Sequence, residues 1–218
     1  MKPIILIAAW QGYKARGDQD ACRETYLKEW GHLIPHRFVY DREYDGLDWK
    51  DDEIIVDAPT GFMECVFKTH LGIKWALEEG YDYVFSVPTD CYIVIPRLLA
   101  SGYEKFDYTG YQVPGEGHIG GGSGYWLSKR AMLIVANSEP ELDYEDRWVG
   151  NALRMYDILG VHDPRYWSSE QSPVDGAITS HLSRATGVYS PRWMVALHKK
   201  YMEEKRYARH WCRLYRAW

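Results

Sequence analysis

A continuous apolar run near the N-terminus is the feature that most restricts how this chain can fold. Residues 4–10 are seven consecutive apolar residues, a pattern typical of a strand buried on both faces of a parallel sheet. The run is far shorter than the roughly 20 residues of a membrane-spanning helix. Parallel strands need long crossover connections, which are usually helices. We therefore expect an α/β fold whose first strand covers residues 3–10.

The segments that follow alternate between helical and extended patterns. After a polar loop at 11–20, residues 21–30 have a helical pattern, and residues 38–40 and 54–56 are short predicted strands. Apolar residues then recur at helical spacing over 62–80, before another buried strand at 83–87. This order predicts right-handed crossovers and a Rossmann-like, doubly wound mixed sheet, with a ligand crevice at the carboxyl ends of its strands.

Beyond residue 100 the predicted elements become shorter. Residues 107–110 and 125–128 are expected strands, and a glycine-rich segment, residues 120–124, lies between them. Helices are predicted over 129–137 and over 145–159.

Acidic residues stand where two predicted elements reach the crevice. Asp90 follows the strand at 83–87, where a carboxylate can hold a divalent cation between two phosphates. Glu145 and Asp146 open a helix, where a carboxylate can take the proton of an attacking hydroxyl. Each observation has a structural alternative, because an Asp after a strand is often a turn residue and acids at a helix start stabilise its dipole.

The glycine-rich segment can bring backbone close to a ligand, since glycine carries no side chain. Its sequence, Gly-Gly-Gly-Ser-Gly, fits neither the Walker pattern nor the dinucleotide-binding pattern. It forms either a wall of a binding site or a flexible turn.

Taken in order, these segments resemble the Fringe and β1,3-galactosyltransferase family of glycosyltransferases, which have the GT-A fold. The residues that carry the resemblance are Lys68, Thr69 and Trp75; Pro88, Thr89, Asp90, Tyr92 and Ile93; residues 120–128; and Glu145, Asp146 and Gly150. The likeness spans residues 3–185. Where the family has three consecutive acidic residues, this chain has Pro88-Thr89-Asp90 and so keeps a single carboxylate.

The resemblance implies an inverting glycosyltransferase that moves a sugar from a UDP-sugar to an acceptor hydroxyl, with a saccharide as the acceptor. It implies Asp146 as the base, supported by Glu145, and Asp90 as a ligand of Mn²⁺ or Mg²⁺. An imidazole in the metal site would favour manganese. His181, in a Ser-His-Leu string, resembles the downstream histidine of the family and is preferred to His162 as that ligand.

Donor contacts are predicted at the end of the first strand and along the same crevice. They are Ala9, Trp10, Arg23, Asp57, Lys68, Thr89, Gly121 and Gly122. On this interpretation residues 1–190 form one GT-A-type domain, with a nucleotide-binding half at about 1–100 and an acceptor half at about 101–190. Residues 191–218 form a basic, aromatic C-terminal helix.

The C-terminal stretch leaves three alternatives open, because basic and aromatic residues are interleaved in it. It could contact DNA in a virus-type enzyme that glycosylates hydroxymethylated bases. It could lie on an anionic membrane as a peripheral contact, or it could pack its aromatic rings on the domain. The reduced acidic motif also allows a non-catalytic protein that binds a nucleotide sugar.

The cysteines and the N-terminal residues indicate which cellular compartment to expect for this chain. The four cysteines are widely spaced and contain no CxxC pair, so neither a zinc cluster nor a redox motif is indicated. The opening stretch has one lysine and no small-residue cleavage site, unlike a secretory signal. We expect a compact bacterial or viral version of the family that lacks a transmembrane segment and acts in the cytoplasm.

Overall fold

Two sheets with flanking helices make up the part of the chain that the computed structural model describes, residues 1–42, 49–167, 176–182 and 190–215. The strands are β1 Pro3–Ala8, β2 His36–Tyr40, β3 Glu53–Ile55, β4 Tyr83–Pro88, β5 Cys91–Ile93, β6 Tyr108–Gly110, β7 Tyr125–Ser128, β8 Val161–His162, β9 Tyr166–Trp167 and β10 Thr179–His181. The α-helices are α1 Gln11–Arg16, α2 Asp18–Cys22, α3 Lys28–Trp30, α4 Cys65–Glu78, α5 Ile95–Leu99, α6 Lys129–Asn137, α7 Glu145–Arg154 and α8 Pro191–Tyr215.

The larger sheet has seven strands in the order β3-β2-β1-β4-β7-β6-β8. Strands β3, β2, β1 and β4 are mutually parallel, whereas β7 runs antiparallel to both of its neighbours. The strand order changes direction between β1 and β4, so their carboxyl ends border a crevice of the kind that holds ligands in doubly wound sheets. The predicted α/β fold with a mixed, doubly wound sheet is confirmed.

Strand β1 supplies side chains to a hydrophobic core on each face of the sheet. Ile5 and Ile7 pack into the core that also contains Trp126, whereas Ile4 and Leu6 face the opposite core. Helices therefore cover both faces, as the unbroken apolar run of the first strand predicts.

The smaller sheet has three strands in the order β5-β10-β9. Strand β10 pairs antiparallel with β5, in a register that sets His181 opposite Cys91. The pairing continues beyond the strands, where the N–H of Leu182 donates a 3.0 Å hydrogen bond to the carbonyl of Asp90. This sheet brings residue 181 to the carboxyl end of β4.

Three predicted elements differ from the structure. The loop predicted at 11–20 is wrong, because α1 and the start of α2 occupy it; α1 buries none of its residues and so lacks the apolar periodicity that identifies a helix. The helix predicted at 21–30 is divided by a π-turn at Arg23–Leu27. Helix α7 ends five residues before the predicted 159, and Asp157 beyond it has a left-handed φ of 58°.

Helix α8 packs one side of its first half on the domain, while Trp193 and Val195 remain exposed. Met194 and Tyr201 are buried, and the rings of Tyr201 and Trp30 have centroids 5.8 Å apart. The hydroxyl of Tyr92 and Nδ1 of His198 are 2.8 Å apart, which ties α8 to β5. Residues 216–218 of the predicted C-terminal helix lie outside the described residues. Among the helices of the described segments, none is both long enough and apolar enough to cross a bilayer.

Candidate active site

A cleft of about 630 Å³ lies at the carboxyl ends of β1 and β4. Its walls come from the two strand ends, from α1, from the first turns of α4 and α7, from the glycine-rich segment and from β10. The lining residues are Ala8, Tyr13, Arg16, Phe62, Cys65, Thr69, Ser86, Val87, Pro88, Asp90, Gly121, Gly122, Tyr144, Glu145, Asp146 and His181. Six of the predicted site residues are therefore brought together in one cleft.

Asp90 and His181 form a close pair on one side of the cleft. Oδ2 of Asp90 and Nε2 of His181 are 3.3 Å apart, because β5 and β10 pair immediately beside them. Ligand atoms at about 2.1 Å from one ion and roughly at right angles lie about 3 Å apart, so the two atoms can share a cation. No group of three His, Cys, Asp or Glu side chains suited to a metal occurs in the described parts of the chain.

Glu145 and Asp146 form a carboxylate pair in the first turn of α7. The carboxylate of Asp146 accepts a 2.8 Å hydrogen bond from the N–H of Gly121, and its Oδ1 lies 3.8 Å from Nε2 of His118. The hydroxyls of Tyr125 and Thr69 donate to Glu145. Burial, with the adjacent charge of Asp146, raises the pKa of Glu145 to about 7. This carboxyl can therefore exchange a proton near neutral pH.

The glycine-rich segment separates the two pairs. A Cβ on Gly122 would lie 2.4 Å from Cε1 of His181, and a Cβ on Gly121 would lie 2.9 Å from Oε2 of Glu145. Both distances are shorter than side chains tolerate, so glycine is what allows these groups to approach the segment. The glycines in the sequence predict that other groups come close to this segment, but the sequence does not show that these groups are His181 and Glu145.

Arg16 provides a cationic group in the cleft. Its guanidinium lies over the ring of Tyr13, 4.7 Å from the centroid, and forms a forked ion pair with Asp18. The hydrogen bond with Asp18 raises the pKa of Arg16. A guanidinium is well suited to phosphate oxygens. Neither Tyr13 nor Arg16 is among the predicted site residues, because the sequence predicts a loop for the segment that holds them.

Two predicted donor contacts form ion pairs away from the cleft. Arg23 lies between Asp52 and Glu53, with N–O distances of 2.7 Å to each, and does not line the cleft. The side chain of Asp57 is 88% exposed and pairs with Arg42. Asp52 and Glu53, at the start of β3, hold the guanidinium of Arg23, and Asp57, which follows β3, is directed to solvent.

Trp10 and Thr89 also lie outside the cleft lining. Trp10 is partly exposed and packs edge-on against Tyr13, with centroids 5.2 Å apart. Thr89 is buried, and its carbonyl accepts a hydrogen bond from the thiol of Cys22. Both residues support groups near the cleft.

Lys68 and Ala9 are joined behind the cleft wall. Nζ of Lys68 donates a 2.5 Å hydrogen bond to the carbonyl of Ala9 and lies 3.5 Å from Oδ2 of Asp41. All three residues are buried. Lys68 therefore braces the chain that leaves β1.

The other histidine considered as a metal ligand lies elsewhere. His162 is on β8, the strand at the edge of the large sheet, and its Nδ1 accepts a hydrogen bond from the N–H of Gln112. Of the two histidines, His181 is the one that lines the cleft.

Several lining residues had no signal of their own in the sequence. The sequence predicts Phe62 and Cys65 only as parts of a helix and Ser86 only as part of a strand, whereas Thr69 also belongs to the residues that carry the family resemblance. Tyr144 directly precedes the predicted acids and could have been found by that adjacency.

Comparisons with known proteins identify the fold. No protein-family model matches this chain, and no curated protein matches it. Among solved structures, the chain is similar to a glycosyltransferase involved in the glycosylation of the major capsid of PBCV-1, with a TM-score of 0.58 and 14% identity. That match covers 90% of this chain and 98% of the other. The chain therefore has a GT-A-like fold, and the likeness does not single out the Fringe family.

Two weaker structural matches were also found. Mannose-1-phosphate geranyltransferase from Thermus thermophilus has a TM-score of 0.41 and 13% identity, and the match covers 69% of this chain and 68% of the other. A197 from STIV has a TM-score of 0.43 and 12% identity, with coverage of 73% and 80%.

Proposed function

We propose that this chain is an inverting glycosyltransferase that moves a sugar from a UDP-sugar to an acceptor hydroxyl. The observation that carries the proposal is the arrangement of one cleft, in which a pair suited to a cation, Asp90 and His181, faces a carboxylate pair, Glu145 and Asp146, across the glycine-rich segment. The GT-A-like fold supports it, because the PBCV-1 protein of similar fold is a glycosyltransferase. The choice of uridine as the nucleotide rests on the Fringe family resemblance.

On the donor side, Asp90 and His181 would hold Mn²⁺ or Mg²⁺, and such an ion neutralises the charge of a departing diphosphate. Arg16 lines the same cleft, where its charge interacts with that of Asp90, and it can donate to the phosphate oxygens. Asp18 and Tyr13 hold the guanidinium in place, so little reorganisation is needed when the diphosphate binds.

On the acceptor side, an acceptor hydroxyl attacks the anomeric carbon of the donor sugar from the face opposite the diphosphate. A bond forms between that oxygen and the carbon as the bond from the carbon to the diphosphate oxygen breaks, and the hydroxyl proton passes to the carboxylate pair. Asp146 is the proposed base, oriented by the N–H of Gly121. Glu145 lies next to it, and the charge of Asp146 adds to the effect of burial in raising the pKa of Glu145.

A panel of nucleotide sugars tested by thermal shift, with and without Mn²⁺, tests this proposal. A ligand that binds only the folded chain raises the melting temperature by mass action. We expect one UDP-sugar to stabilise the protein, and only when Mn²⁺ is present. A folded protein whose melting temperature is unchanged by every nucleotide sugar would contradict the proposed donor class.

A further inference from the structure

Two exposed aromatic side chains stand at the rim of the cleft. Phe62 is 74% exposed and Tyr144 is 49% exposed, although both line the cleft. Their rings meet edge to face, with centroids 6.2 Å apart. Large apolar side chains left in water beside a concave site are typical of a surface that a ligand covers.

The aromatic pair belongs to the carboxylate side of the cleft. Tyr144 directly precedes Glu145 at the start of α7. Phe62 leads into the first turn of α4, where its carbonyl accepts from the N–H of Cys65, and Thr69 of the same helix donates to Glu145. Because an attacking hydroxyl must reach the carboxylate pair, the molecule that carries it must pass this rim.

The charge of the rim disfavours a phosphate-bearing acceptor. The carboxyl groups of Glu145 and Asp146 line the cleft next to Tyr144, and Asp143 immediately precedes Tyr144 in the chain. The nearby cation, Arg147, is already paired with Asp143 at 3.4 Å and lies 4.9 Å from the centroid of the Tyr144 ring. Phosphates of DNA or of an anionic lipid would be repelled here, whereas an uncharged molecule with hydroxyl groups would be accepted.

We propose that Phe62 and Tyr144 form the acceptor platform, and that the acceptor is an uncharged sugar ring that stacks on Phe62 and directs a hydroxyl at the carboxylate pair. This inference rests on the proposed glycosyltransferase function. A pyranose has an apolar C–H face that packs on an aromatic ring and a polar edge that donates to carboxylates, which matches the two kinds of side chain at this rim.

The test compares F62A and F62Y with F106A. Phe106 is also partly exposed and is not part of the cleft lining, so F106A controls for the loss of an exposed phenyl ring. Each protein is assayed with Mn²⁺ and the UDP-sugar found by thermal shift, first for hydrolysis of the donor alone and then for transfer to a panel of methyl hexopyranosides. Saturation-transfer NMR with the same methyl glycosides at about 20 mM reads acceptor binding without any donor, because millimolar affinity suffices for it.

In F62A we expect the acceptor KM to rise about three- to tenfold, in line with the loss of an aromatic contact, whereas F106A should keep the KM of the unsubstituted protein. F62Y keeps an aromatic ring and should retain saturation transfer, which should weaken in F62A and stay unchanged in F106A. An unchanged KM and unchanged saturation transfer in F62A would overturn the platform.

Two other outcomes distinguish an incorrect acceptor from an incorrect proposed function. Transfer to duplex DNA containing hydroxymethylated cytosine, with none to any methyl hexopyranoside, would overturn the uncharged sugar as the acceptor. Failure to bind or hydrolyse any nucleotide sugar would instead count against the proposed function, while the NMR measurement still decides whether Phe62 binds a sugar ring.

Discussion

The N–H of Gly121 donates a 2.8 Å hydrogen bond to Oδ2 of Asp146. This contact joins the glycine-rich segment to the first turn of α7. The next residue, Gly122, lies against the ring of His181, so the segment also touches the proposed cation site. The proposed base and one proposed metal ligand, His181, therefore lie against neighbouring residues of one backbone segment.

Replacement of Asp146 by asparagine should abolish transfer while donor binding remains. The amide keeps the hydrogen bond from Gly121 but cannot take up a proton, and general-base catalysis contributes about 10²- to 10⁴-fold. Transfer is measured by release of UDP in the presence of an acceptor, and donor binding by calorimetry. A turnover in D146N close to that of the unsubstituted protein would exclude Asp146 as the base.

The raised pKa of Glu145 predicts a pH dependence of stability. This pKa rises from 4.5 in the unfolded chain to about 7 in the fold, so the folded protein binds more protons between these values. The stabilisation that results from protonation of Glu145 is fully present below about pH 4.5 and is lost as the pH rises through about 7. E145Q does not titrate. The melting temperature of E145Q minus that of the unsubstituted protein should therefore increase by a few degrees between about pH 5 and about pH 8; a constant difference would contradict the shift.

Removal of Asp90 should eliminate the metal dependence of donor binding. D90A leaves a single proposed protein ligand, His181, and one imidazole would hold the ion only weakly. We expect the stabilisation by UDP-sugar with Mn²⁺ to fall to the level seen without metal. H162A serves as the matched control, because His162 lies on the edge strand β8, and it should retain the full response.

The substitution G122A should impair the cation site through sterics alone. The new methyl group would lie 2.4 Å from Cε1 and 2.5 Å from Nδ1 of His181, so the imidazole must leave the position in which it lies 3.3 Å from Asp90. We expect at least a tenfold loss in the apparent affinity for Mn²⁺. G72A is the control, since its methyl group would make ordinary contacts at 3.5 Å with Leu6 and Val39. Equal affinity in G122A and the unsubstituted protein would show that His181 is not held by this contact.

The buried ion pair behind the cleft should be sensitive to loss of one partner. K68M leaves Asp41 buried without its cation, which costs about 3–5 kcal/mol of the free energy of unfolding. In the double variant K68M/D41N the loss should be smaller, because no uncompensated charge remains. Urea unfolding of the three proteins measures both values. A double variant no more stable than K68M would show that the cost arises from packing and not from charge.

Local patterns were sufficient for much of the fold. Strand β1, helix α4, strand β4 and helix α6 could be predicted from the sequence, because each has an apolar pattern set by residues that are neighbours in the chain. Helix α1 could not, since it contributes no buried residue and has no such pattern. For this reason the predicted site lacks Tyr13 and Arg16, both of which lie on α1. The predicted site includes Arg23 instead.

The sequence by itself determined which kinds of residue form the site. It also determined that Asp90 follows a strand and that Glu145 and Asp146 begin a helix. Only the tertiary structure decided that His181 lies beside Asp90, through the pairing of β5 with β10. It also decided that Arg23 is held by Asp52 and Glu53 while Arg16 lines the cleft. The physical reason is that contacts between residues distant along the chain depend on strand order and packing, which no local periodicity encodes.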